Sequence, residues 1–316
     1  MIVGMIPQLP NEVIDEMTKR HHRIHHFLWH EVRNNWLDYD IATQNQLTSM
    51  GWKPPRPALS ESNPATGDQT PLLNNNSGED FLFMHREMIK LVNQILHDVS
   101  DPQYPKVEGW KIIPRPDDLD YPVPPTWAGA DPIFETTKSV EFFDNFLQWE
   151  SRYTDPNPLF QWSLGQLGSR LEFSIHNMMH LRWSSQPIPQ ERPFVDATSA
   201  DTIDVQFDDP SYDFLGDTYS SHVNPIFWKL HGWIDDRIED WKNAHGITGD
   251  IQWTGTWMGH MHGNINANLL LRDLSTSRED PLENMSNVLK IISGKGKGKP
   301  HPFAVVDPKL DIFLSN

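Results

Sequence analysis

Five of the fifteen histidines fall within ten residues, at His21, His22, His25, His26 and His30. They lie inside a 27-residue stretch, 11–37, that contains neither glycine nor proline. Val13, Ile14, Met17, Ile24, Leu28 and Val32 recur in it at helical spacing, and Asn11 can cap it, so a helix is predicted over 11–37. Residues one turn apart on a helix share a face. The stretch therefore presents stacked imidazole pairs, 21/25, 22/26 and 26/30, to whatever packs against it. Imidazole is the commonest protein metal ligand and titrates near neutrality. A chain that stacks it so densely must leave the rings in solvent or find them a partner in the core.

Other segments carry a helical period, separated by tracts that cannot. Helices are predicted over about 80–99, with Ser77 or Asp80 as cap, and over 138–153, 159–183 and 225–244. Asn224 stands at the N-cap of the last and Pro225 at its first position, where the missing N–H costs nothing. Residues 38–79 have loop chemistry, and 101–132 hold eight prolines and read as an irregular crossover. A third proline-rich loop carries Pro187, Pro189 and Pro193. Short β pieces are expected near 201–207 and 303–315, and 293–301 reads as a flexible cationic loop. The fold class expected is all-α: a four-helix bundle with long irregular proline-rich loops and minor β. One domain is expected over 1–316, with a helical core about 11–245 and a C-terminal extension about 246–316.

Composition removes several function classes. Acidic residues number 43 and basic ones 26, a formal charge of −17, which disfavours nucleic acid and anionic lipid as partners. No apolar run approaches the ~18 residues of a membrane helix. The first ten residues lack a charged start and a long apolar run, so a cytoplasmic protein is expected. Cysteine is absent, which excludes disulfides, thiolate metal sites and a cysteine nucleophile.

Beyond the first helix, His85 sits in an apolar frame, Phe81-Leu-Phe-Met-His85-Arg. His176 and His180 form another one-turn pair among Ile175, Met178 and Met179, and His231 lies in the last helix. By segment the count is two, one, two, one. Two sets of three imidazoles, each a helical pair plus a single ring, can hold two metals between facing helices. Neutral nitrogen donors alone suit copper, zinc or iron. Which pair of the first helix takes part stays open, because the apolar positions Met17, Leu28 and Val32 favour His21 and His25.

Several motifs resemble the type-3 dicopper proteins, that is, tyrosinases, catechol oxidases, hemocyanins and arthropod phenoloxidases. Asn224-Pro-Ile-Phe-Trp-Lys-Leu-His-Gly-Trp-Ile-Asp-Asp-Arg237 resembles that family's second-copper signature. Leu171-Glu-x-x-x-His176-Asn-x-x-His180 resembles the part preceding it. Phe81–Arg86 resembles the run around the third ligand of the first copper, and His26-Phe-Leu-Trp-His30 resembles a pair in the arthropod-type proteins. The resemblance spans residues 21–241. It implies two copper ions, one on His176, His180 and His231 and the other on His26, His30 and His85. It also implies oxidation of phenols by dioxygen, by ortho-hydroxylation of monophenols or oxidation of o-diphenols to o-quinones, with a small phenol and O2 as partners. Two departures stand out. No histidine occurs in 38–79, and the family's usual double histidine is His231-Gly232 here.

In the tyrosinases an asparagine after the first of these histidines shares a water with a glutamate, and the water takes the phenol's proton. The resemblance puts Asn177 in that role, with Glu172 one turn before His176 as the carboxylate. Alternatively Asn177 hydrogen-bonds an imidazole and Glu172 pairs with Arg170 or Arg182. A single short domain is expected to leave the approach to the coppers open, favouring an enzyme over a hemocyanin-like oxygen carrier. A specialised aminophenol or peptidyl-tyrosine oxidase is a further alternative, as is a helical protein that merely buffers stray metal. Asp235, Asp236 and Arg237 are expected to tie the last helix to its neighbours. His222 is placed at the entrance, and His260 and His262 on the surface or behind the ligands, with an auxiliary copper site or the pocket rim as alternatives.

Overall fold

The computed structural model describes residues 9–190, 199–259 and 281–293. Over these residues the chain is all-α, and its β structure amounts to an isolated bridge between Leu59 and Pro71. The expected helix over 11–37 is two helices, α1 (Asn11–Met17) and α2 (Arg20–Asn34). No local breaker separates them. Instead Lys19 is extended, and the residues beyond it are claimed by distant chain. Arg20 donates to Asp208 and the Ala200 carbonyl, and Arg23 to the carbonyls of Thr18, Tyr212 and Asp209. Buried guanidinium bonds outweigh the few tenths of a kcal/mol per residue that helix propensity offers.

The tract 38–79 contains a helix the sequence reading missed, α3 (Ile41–Ser49), whose Thr43 N–H donates to the Asp40 cap. The Asp40 cap was its one signal. Next comes α4 (Ser77–Val99), the longest described helix, preceded by Asn76 in the left-handed region, so neither Ser77 nor Asp80 caps it. The proline crossover ends at α5 (Pro132–Lys138), capped by Asp131, and α6 (Phe143–Thr154) follows. The predicted helix over 159–183 is three pieces, α7 (Pro156–Gln161), α8 (Leu164–Leu171) and α9 (Asn177–Trp183). A reciprocal capping box between Ser163 and Gln166 starts α8. A π-helical turn over Glu172–His176 joins α8 to α9, and Ser174 there donates to the Arg170 carbonyl at 2.5 Å. The last two helices are α10 (Pro225–Ala244), capped by Asn224 as expected, and α11 (Pro281–Ile292). The strand expected over 201–207 is instead two 3₁₀ turns, Ala200–Thr202 and Val205–Asp208, each entered through a serine or aspartate cap. The strand over 303–315 and most of the 293–301 loop lie outside the described residues.

Two glycine contacts bring the backbones together. A Cβ on Gly78 of α4 would strike the backbone of Ser169 and Gly165 in α8, and one on Gly168 would strike Gly78. A Cβ on Gly232 of α10 would sit 2.5 Å from the Gly109 nitrogen in the proline-rich crossover. This is why glycine follows His231: the crossover lies against that spot, and Trp110 N–H donates to the Lys229 carbonyl at 3.2 Å. Asp235 ties α10 to α4 by accepting from Arg86, the residue after His85, as expected of it.

Because the Gly168 contact is backbone on backbone, Gly168→Ala has no flexible side chain to move aside. It is expected to cost about 2 kcal/mol or more. Gly249→Ala, where nothing lies within 4 Å, should stay within about 0.5 kcal/mol of the parent. Thermal denaturation of the two variants side by side checks the difference.

Candidate metal centre

His26 and His30 of α2, His85 of α4, His176 and His180 around the π-turn, and His231 of α10 meet in the core. None is more than 3% exposed. Ring centroids are 5.0 Å apart for His26–His30, 5.6 Å for His30–His85, 4.3 Å for His85–His231 and 5.0 Å for His176–His231. Two triplets have ligand nitrogens mutually within 4.8 Å: His26, His30 and His85, and then His85, His176 and His231. His85 thus bridges the two groups. His180 joins through His176, with the two Nε2 atoms 3.1 Å apart. The set is the one the resemblance implies, although the second triplet closes on His85 rather than on His180.

The rest of the 21–30 cluster points elsewhere. His25 Nε2 lies 2.7 Å from the Met258 carbonyl, and His22 Nε2 lies 2.9 Å from a Glu16 oxygen. The expectation drawn from Met17, Leu28 and Val32, that His21 and His25 face the core, does not describe the fold. Leu28 and Val32 are buried, but so is most of α2 from His22 to Asn34, so their burial does not single out the face that carries His21 and His25.

Hydrogen bonds at Nδ1 set the tautomers. His26 Nδ1 donates to the Thr218 carbonyl at 2.6 Å, His85 Nδ1 to the Phe81 carbonyl at 2.9 Å, and His180 Nδ1 to the Leu215 carbonyl at 2.8 Å. His176 Nδ1 donates to Asn177 Oδ1 at 2.8 Å. In a neutral ring a proton on Nδ1 leaves a lone pair on Nε2. Carbonyl acceptors behind a ring are the usual means of orienting a metal-binding imidazole. The Nε2 atoms of His26 and His85, and both ring nitrogens of His231, have no hydrogen-bond partner among the described residues. Each such buried nitrogen costs roughly 1–3 kcal/mol unless something else occupies its lone pair. With both Nδ1 atoms donating, the His176–His180 contact turns two Nε2 lone pairs toward each other, an arrangement that a cation bound to both would stabilise.

A proton is a poor candidate for that cation. Burial lowers the pKa of all six rings, to about 3 for His26 and about 4 for His176, and well below the ordinary value for the other four. The donors are therefore neutral nitrogens near pH 7. They fit a late first-row metal ion and not a hard, oxygen-seeking one.

Supporting side chains surround the rings. Phe227 stacks on His231 with centroids 3.8 Å apart and meets His26 and His180 edge-on. Glu172 is buried and takes hydrogen bonds from Arg33 at 2.5 and 2.9 Å, so its partner is neither Arg170 nor Arg182. Burial raises its carboxyl pKa and Arg33 opposes that shift. Spacing gave no sign of this pair, since 139 residues separate the partners. Sequence reasoning also misplaced His222. It does not line an entrance but is fully buried, with Nε2 donating to the Met17 carbonyl at 3.1 Å and Nδ1 3.2 Å from His26 Nδ1. The centre itself is enclosed, not open. His260 and His262 lie outside the described residues.

No protein-family model matches the chain, and no curated protein matches it. No helix among the described residues is long and apolar enough to cross a membrane.

The depressed pKa values set a sign for stability. The unfolded rings titrate near 6.5, so below that pH the unfolded metal-free chain binds protons that the folded core refuses. The metal-free protein should be most stable above about pH 6.5 and lose stability progressively as the pH falls toward 4. Melting temperatures recorded across that range check this, and a flat profile would contradict the neutral-core reading.

Proposed function

We propose that the chain is a copper-dependent oxidase of phenols, a four-helix bundle holding two copper ions and acting on a small phenol with O2. The observation that carries this reading is the inward-facing set of imidazole nitrogens, backed by fixed acceptors and lacking any carboxylate or thiolate. His26, His30 and His85 would hold one ion, and His176, His180 and His231 the other. When bound, the copper pair supplies the two-electron redox chemistry that dioxygen requires. The overall reactions balance as monophenol plus O2 giving o-quinone plus water, and two o-diphenols plus O2 giving two o-quinones and two waters.

The chain's own residues orient and exclude. Carbonyls of Phe81, Thr218 and Leu215 fix three rings, and Asn177 fixes a fourth. Phe227, Phe81 and Trp29 pack against the rings and keep water from them. Asn177 Oδ1 is engaged by His176, and both Glu172 oxygens are engaged by Arg33. That supports an orienting role for the two residues ahead of the shared-water role implied by the resemblance. A second reading, reversible dioxygen binding without turnover, is favoured by the burial of every ligand ring.

Copper loading followed by metal analysis should give about two coppers in the buried centre of each chain, and His180→Ala, His231→Ala, His26→Ala or His30→Ala should each lower the parent's total by about one. His25→Ala should leave the count unchanged. Turnover of a diphenol should vanish in His231→Ala, and full occupancy with undiminished rate in that variant would defeat the assignment. A parent that binds two coppers and takes up O2, yet turns over no phenol, selects the carrier reading.

Asn177→Leu separates its two roles. If Asn177 only orients His176, matched monophenol and diphenol rates fall together. If it holds the water that accepts the phenol's proton, the monophenol rate falls alone, because a phenol near pKa 10 depends on that base.

A further inference from the structure

The joint between α1 and α2 gathers a different donor set. Glu16 lies in the last turn of α1, and His21 and His22 lie in the first turn of α2. One ligand atom from each lies within 4.8 Å of the other two. His22 Nε2 is 2.9 Å from Glu16 Oε1, and the His21 and His22 rings stand 4.2 Å apart. Neighbouring residues on a helix do not ordinarily face a common point. Here the extended Lys19 separates the two helices, and the carboxylate of α1 comes within 4.8 Å of a nitrogen of each ring. His22 is buried, while Glu16 and His21 are partly exposed, so the cluster is open to solvent where the six-histidine centre is closed.

We propose that Glu16, His21 and His22 form a separate surface site for a borderline divalent cation of the zinc and copper(II) type, which clamps α1 to α2. Two neutral nitrogens and one carboxylate oxygen suit such ions, and a position is left for water. Metal–ligand bonds of about 2.0–2.2 Å require donors roughly 3.4 Å apart. Donors within 4.8 Å reach that spacing by rotation of the partly exposed Glu16 and His21 side chains. One group competes for the place: the Lys19 ammonium donates to Glu16 Oε2 at 2.6 Å and must swing away when the ion enters. Lys19 is half exposed, so water takes over its charge. The site does not depend on what fills the buried centre.

Equilibrium dialysis of the full chain against zinc, with the bound metal counted, tests this directly. The parent should hold one more zinc per chain than Glu16→Gln/His21→Ala. His231→Ala, which disturbs only the buried centre, should keep that extra ion. Lys19→Ala should bind it about threefold more tightly or better, since a competing ion pair is removed and an exposed pair is worth up to ~1 kcal/mol. A structural role for Lys19 would give no such gain. Equal zinc counts in the parent and the double variant would overturn the proposal, as would an extra ion whose affinity Lys19→Ala leaves unchanged or weakens. The exposed Lys19 variant keeps the test decisive even if the double variant fails to fold.

Discussion

Keeping seven imidazoles uncharged in a closed core is the constraint on which the rest of this structure depends. A protonated ring there would meet other rings within about 6 Å and, among the described residues, no carboxylate to neutralise it. Burial keeps the rings uncharged, outweighing the acceptors at Nδ1, which by themselves favour protonation. Pinning Nδ1 protons to backbone carbonyls or to Asn177 fixes the tautomer of four rings and directs their remaining lone pairs inward. His222 belongs to the same scheme. Donating through Nε2 to the Met17 carbonyl, it turns a lone pair on Nδ1 toward the Nδ1–H of His26. That places it behind the His26 ring, with both of its nitrogens already engaged.

Ring positions of this kind need backbones held to within a few tenths of an ångström, and two devices provide that. The Gly78–Gly168 contact presses α4 onto α8, so the helix bearing His85 and the segment leading to His176 share one wall. The Arg33–Glu172 pair then fixes α2 to the π-turn, and Arg33 also donates to the Ser77 carbonyl at 2.8 Å. A buried ion pair is a weak source of net stability, since desolvation offsets most of the attraction, while loss of one partner costs about 3–5 kcal/mol. Its contribution is registry: α2, α4 and the π-turn meet at one guanidinium, within one turn of both His30 and His176.

What was legible in the sequence follows from what is local. The α10 helix and its Asn224 cap could be read because capping chemistry and helical period lie within a few residues of each other. The histidine positions inside α2, α4 and the π-turn could be read because one-turn spacing survives any arrangement of helices. The break at Lys19 could not, because its causes are Arg20 and Arg23 reaching residues 200–213. Within α2 the apolar positions could not tell which histidine pair meets the other rings, because the helix is buried around most of its circumference. The π-turn was hidden for a similar reason. Ser174 has an ordinary helical neighbourhood in sequence, and its hydroxyl becomes a distorting group only when it donates to the Arg170 carbonyl beside the Tyr153 hydroxyl. Glycine after His231 looked like a departure from a motif, and the crossover backbone lying against Gly232 gives its physical reason.

Enclosure bears unequally on the two substrates of the proposed reaction. Dioxygen is small enough to diffuse through side-chain fluctuations of a packed core, whereas a phenol must displace something. Phe227 is a poor candidate to move, being stacked on His231 and in edge contact with His26 and His180. The segment 251–259 is held differently. Thr254 donates twice to Glu79, Trp257 N–H donates to Asp80, and Trp29 donates to the Trp257 carbonyl. Its grip combines these hydrogen bonds, worth about 1 kcal/mol each net of water, with ring contacts of Trp257 on Trp29 and Trp52 and of Trp253 on Phe83, and with buried Met258. Separating Phe227 from the rings would instead expose apolar surface and leave a void among the imidazoles. If the proposed oxidation takes place, an approach that leaves the imidazoles packed around Phe227 would run past Trp257 and Trp29 toward His30 and His85, on the side of the first triplet.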